Sequence, residues 1–169
     1  MPEAANDGRP LDDPGDADAL ARYAATLADG IEAAIPGWID RLVRGVLDDQ
    51  GIAVDGGLAG GIAEAGRQAQ AEGARRVRAL LATDIDAQRG NPLSVLRALV
   101  SHATAVLRHA GAQPVSRDEF SERSFPDDVY DLTPASFADV DPALHEPGLV
   151  WGAAKAHVHL ARRRREGRR

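Results

Sequence analysis

Large side chains are spread so unevenly along this chain that most of its core has to be built without them. Five of the seven aromatic residues (Phe120, Phe125, Tyr130, Phe137 and Trp151) fall in one C-terminal stretch, leaving Tyr23 and Trp38 for everything before it. The 44% hydrophobic content, aromatics included, is dominated by Ala, Leu, Val and Ile. Alanine is the strongest helix former, and small side chains let helices approach closely. Runs of β-branched residues at period two, which a half-buried sheet needs, are missing. These constraints predict an all-α protein: an antiparallel bundle of about four to five helices, with a long irregular C-terminal segment wrapped on it before the last helix.

At 169 residues one domain with a single core is expected. Residues 1–16 combine Pro, Gly, Asp and Asn with one isolated Leu and are expected to be a disordered tail. Residues 17–161 form the helical domain, and 162–169 a basic tail. Asp16 or Asp18 is suited to cap a first helix carrying Leu20, Tyr23, Leu27, Ile31 and Ile35 at helical spacing. Pro36 is expected to break or kink it, because proline lacks a donor and clashes with the preceding turn. A second piece continues through Trp38, Ile39, Leu42, Val43, Val46 and Leu47, until Asp48–Gly51 ends it.

A helix over roughly 58–83 places Leu58, Ile62, Ala65, Ala69, Val77, Leu80 and Leu81 on one side. On it, Gly61, Ala65, Ala69 and Gly73 form a ridge of small residues four apart, suited to close packing within the bundle or across a homodimer. Arg75, Arg76 and Arg78 fall on its solvated face. Asn91 and Pro92 then read as an N-cap and first helical residue. The pattern Leu93, Leu96, Leu99, Val100, Ala103, Val106, Leu107, Ala110 follows, until Gly111 stops it. A last helix is expected from about Gly148, with Trp151, Lys155 and His159 on one face.

Between them, residues 112–147 carry no long periodic pattern. From Arg117 to Glu146 there are nine acids against Arg117 and Arg123. Short helical turns are expected near 117–123, 135–138 and 142–144, with the aromatics pinning an acidic belt to the bundle. Phe120, Phe137 and Trp151 read as buried knobs. Phe125 and Tyr130, with Asp127, Asp128 and Asp131, read as the exposed surface: aromatic anchors inside a charged rim.

Little here points to catalysis. The absence of cysteine excludes disulfides, thiolate metal sites and cysteine nucleophiles. His102 and His109 are two helical turns apart, too far to share one metal ion, whereas zinc helices use i,i+4 pairs. Acids following proline serve commonly as turn formers and caps, and their spacing does not match a calcium loop. Gly56-Gly57 and Gly60-Gly61 follow no strand and no Lys-Ser/Thr pair accompanies them, so they carry no phosphate-loop signal. No cofactor or metal is therefore expected.

The N-terminus lacks an apolar signal core, and no segment approaches the roughly 18 apolar residues of a membrane span. A cytoplasmic protein without membrane contact is the expectation. One lysine against nineteen arginines reads as the codon bias of a GC-rich bacterial genome.

Three functions remain. The leading one is a non-enzymatic adaptor or regulator that binds another protein through the acidic aromatic segment 116–151. A second is a small enzyme or ligand binder with an Asp/His/Tyr-lined pocket between belt and bundle. A third is a nucleic-acid-associated regulator using Arg162, Arg163, Arg164 and Arg165, since arginine clusters neutralise phosphate. Without stacking aromatics nearby, such a tail would not read bases.

Overall fold

The computed structural model describes residues 14–82, 92–116, 125, 127–134 and 137–141. At the helix ends 14–21, 23–24, 81–82, 92–93 and 137–138 it describes the backbone alone. Among the described residues the fold is all-helical: α1 (Pro14–Asp49), α2 (Gly56–Ala82), α3 (Pro92–His109) and a single turn, α4 (Phe137–Val140). The last helix expected from Gly148, the first thirteen residues, Asn91 and the arginine tail lie outside the described residues. Consecutive long helices run antiparallel, with α2 packed on both α1 and α3, and α4 seated on α1.

The apolar periodicities define the core as expected. From α1 come Leu27, Ile31, Ile35, Trp38, Ile39, Val43 and Leu47; from α3 come Val95, Leu96, Leu99, Val100, Ala103 and Leu107. From α2 the contribution is smaller in volume: Ile62, Ala65, Ala69 and Val77. Arg75, Arg76 and Arg78 lie outside this core, as the pattern predicts, and Arg76 and Arg78 form exposed ion pairs with Glu72 and with Asp29 and Glu32.

Two boundaries differ from the sequence reading. Helix α1 begins at Pro14, inside the stretch expected to be disordered; proline suits a first turn, where its missing N–H has no partner to lose. More significantly, Pro36 does not break α1, which continues unbroken for 36 residues. The carbonyl that Pro36 deprives of a helical donor belongs to Glu32, four residues back. That oxygen accepts a hydrogen bond from Gln70 Nε2 of α2 at 3.2 Å. The neighbouring helix thus replaces the bond that proline removes. Beside it, a Cβ on Gly66 would sit 3.2 Å from Pro36 Cα, so the absence of a side chain admits this close crossing.

The small-residue ridge is consumed inside the bundle. Ala65, Ala69 and Gly73 are buried, whereas Gly61 is exposed. At Gly73 a Cβ would overlap Ile35 Cδ1 and come within 3.0 Å of Leu99 Cδ1. All three long helices therefore meet at that position.

Helices α1 and α3 end in the same way. Ile52 N donates to Leu47 O and Gly51 N to Asp48 O, with Gly51 at φ 66°. In α3, Ala112 N donates to Leu107 O and Gly111 N to Arg108 O, with Gly111 at φ 77°. This paired bonding around a left-handed residue is the Schellman motif, and glycine adopts that conformation without a steric cost. The two ends are joined through Gln50, whose Nε2 donates to Gln113 O and whose Oε1 accepts from Gln113 N, both at 2.8 Å. Between them α2 starts on Asp55, whose Oδ1 accepts the Leu58 N–H at 2.7 Å as an N-cap.

Gly73→Ala is expected to destabilise the fold by about 1–3 kcal/mol through overpacking, despite alanine's higher helix propensity. Gly60→Ala, where a Cβ meets nothing within 4 Å, should stabilise it by about 0.5–1 kcal/mol. Urea unfolding of the two variants checks the contrast.

Candidate functional site

The belt's described part, residues 125 and 127–134 with α4, is held to the bundle at several points. It begins as two linked turns, in which Asp128 N donates to Phe125 O and Asp131 N to Asp128 O. Asp131 adopts φ 55°, the left-handed region that aspartate tolerates better than most residues. The Asp128 carboxylate then accepts Leu132 N at 3.0 Å and Thr133 N at 2.6 Å, one on each oxygen. An ionised acceptor makes these bonds stronger than neutral ones. Asp128 is thereby buried, 6% exposed.

Tyr130 is buried as well, at 4% exposure, with its hydroxyl donating to Ala112 O at 2.9 Å. The sequence reading places Asp128 and Tyr130 on the exposed surface, and the burial of both corrects it. A phenol whose hydroxyl finds a backbone acceptor can be fully desolvated, and a carboxylate that satisfies two backbone amides can follow it. With Leu132 and Val140, Tyr130 closes the core from this side. At the far end α4 is tied down by Arg41 of α1, whose Nη2 donates to Val140 O at 2.6 Å.

The other three residues of the expected surface keep access to solvent. Phe125 is half-buried, Asp131 is exposed and Asp127 is exposed. Asp127 accepts from Arg97 of α3, and the same guanidinium lies 4.8 Å from the centroid of the Phe125 ring. One arginine thus orients both an aromatic face and a carboxylate.

Sequence reasoning missed Arg97, and it missed Val115, the large apolar side chain exposed among the described residues at 44%. Val115 N donates to Val129 O at 3.0 Å, which sets it beside the belt. Its position just outside the acidic segment conceals it. The side chain of Phe137, together with Phe120, Trp151 and Arg162–Arg165, lies outside the described residues.

His102 joins α3 to α2. Its Nε2 lies 2.8 Å from Glu72 Oε2, and because an ionised carboxylate can only accept, that nitrogen carries the proton. The His102 bond, with help from Arg76, holds the Glu72 carboxyl below its ordinary range against the opposing effect of burial. A lowered carboxyl value means that this link supports the fold above the ordinary carboxylate range and weakens as pH falls through the lowered value. His109 is exposed. Among the described residues, no three His, Asp or Glu side chains gather in a group that could hold a metal ion. No helix among them is long and apolar enough to cross a membrane.

Comparison with models of protein families, with curated proteins and with solved structures returns no match for this chain.

Asp128→Ala should strip the buried Leu132 amide of its acceptor, at about 1–3 kcal/mol, and the part-buried Thr133 amide at a smaller cost. Hydrogen exchange is expected to show protection lost at Leu132 and Thr133 while Ile35 and Leu99 stay protected. Asp128→Asn, with one acceptor oxygen left, should retain protection at one of the two.

Proposed function

We propose that the chain is a non-enzymatic helical adaptor or regulator, and that it binds another protein through the surface formed by Val115, Phe125, Asp127 and Asp131. The observation that carries this reading is the internal locking of the belt. Asp128 and Tyr130 spend their polar groups within the chain, so the residues between and beside them project from a fixed loop. Loops positioned on a rigid scaffold are frequent sites of recognition. An exposed valine and a half-exposed phenylalanine beside the Arg97–Asp127 ion pair suit a partner segment with an apolar anchor and a polar, charged rim.

The test compares the full chain with Val115→Asp and Phe125→Ala as baits in a native lysate. A protein retained by the wild type and lost with both variants, at unchanged thermal stability, is the expected result. Retention of the same proteins by all three baits would remove this surface from consideration.

A further inference from the structure

At the end of the bundle where α1 and α3 stop and α2 begins, the helices leave an open cleft of about 680 Å³. Ile52, Ala53 and Leu58 line one wall, and Ala105, Val106 and Ala110 the other. Among its lining residues, Asp55 and His109 alone bring charged or ionisable side chains. A volume in the range of about 300–1,000 Å³, apolar walls and a few polar groups are the usual anatomy of a small-molecule site.

The remaining lining residues are Gly57 and Gly61, and neither is explained by the fold. Neither has a positive φ, and a Cβ on Gly61 would meet nothing within 4 Å. On Gly57 the nearest neighbour would be Asp55 Oδ1, at an ordinary 3.5 Å. By contrast, a Cβ on Gly66 would press on the Pro36 backbone, and one on Gly73 on the terminal methyls of Ile35 and Leu99. Each interior helical glycine costs about 0.5–1 kcal/mol relative to alanine. Gly61, inside α2, carries that cost, Gly57 lies in the first turn after the Asp55 cap, and at both positions the missing side chain leaves space in the cleft.

Among the described residues, the charge around the cleft favours a cationic occupant. The C-terminal ends of α1 and α3 both lie at this end of the bundle and carry partial negative charge. The N-terminus of α2 opposes them with about half a positive charge, which the full charge of Asp55, its N-cap, exceeds. Asp48 and Asp49, exposed at the end of α1, add to the same sign. Arg108 does not offset them within the cleft, because it lines a smaller polar hollow with Arg97, Ser101 and Asp128 on the other flank of α3. His109, when neutral, offers a ring nitrogen as an acceptor.

We infer that this cleft binds a small amphipathic amine, with its apolar body between Leu58 and Val106 and its ammonium group on Asp55. The site is separate from the Val115–Phe125 surface and stands or falls independently of it.

Two probes with the same tail and opposite heads, n-octylamine and octanoate, test this by calorimetry and amide NMR on the full chain. Wild-type protein is expected to bind octylamine saturably, with shifts centred on Ile52, Leu58 and Val106, and to bind octanoate at least about tenfold more weakly. Asp55→Asn keeps the helix cap, since asparagine caps as well as aspartate, and should weaken octylamine binding about tenfold. Gly61→Leu fills the cleft with a better helix former and should abolish binding while melting no lower than wild type. Phe125→Ala should bind octylamine as the wild type does. Unsaturable octylamine binding, equal affinity for octanoate, or full binding by Gly61→Leu would each overturn the inference.

Discussion

At Pro36 the chain gives up a helical hydrogen bond, and the helix beside it supplies the replacement. Gln70 reaches the Glu32 carbonyl from α2, and Gly66 admits the proline ring without a clash. These two residues let α1 run unbroken for 36 residues and set its distance from α2. Two helical turns beyond Gly66, Gly73 fixes the approach of α3 in the same manner, through Ile35 and Leu99. A core with few aromatics stays close-packed because its helices come near enough for small side chains to fill the interior.

The described segments outside the three helices are referenced to that frame. Gln50 joins the ends of α1 and α3 by a reciprocal pair of hydrogen bonds, which aligns the Schellman caps at one end of the bundle. The chain leaving α3 then supplies the Ala112 carbonyl to Tyr130 and the Val115 amide to Val129. From there the belt crosses to α1, where Arg41 holds α4. Two distinct places result: a locked loop with an outward apolar and acidic rim, and an open cleft among the helix ends.

The helices are legible in the sequence because their signal is local. Ile31, Ile35 and Ile39, or Leu96, Leu99 and Ala103, repeat at a spacing that reveals the buried face without reference to the rest of the chain. Gly111 is recognisable as a stop for the same reason. Pro36 does not break the helix because the compensating donor lies on another helix, at Gln70, far outside any window that a periodicity uses. Tyr130 and Asp128 look exposed because their neighbours are acidic. Their burial depends on partners at Ala112 and on amides further along the loop. The cleft is invisible for a third reason: Ile52, Leu58 and Val106 come from three segments, and Gly57 and Gly61 resemble ordinary helical glycines until the space around them is known.

The most direct measurement of the packing account is a double-mutant cycle at positions 36 and 70, read by urea unfolding. With Pro36 present, Gln70→Leu leaves the Glu32 carbonyl without a donor and should cost about 1–2 kcal/mol. In the Pro36→Ala background the alanine's own backbone N–H restores the helical bond, and the same change should cost close to nothing. An equal cost in both backgrounds would contradict the claim that α2 completes α1 at the proline.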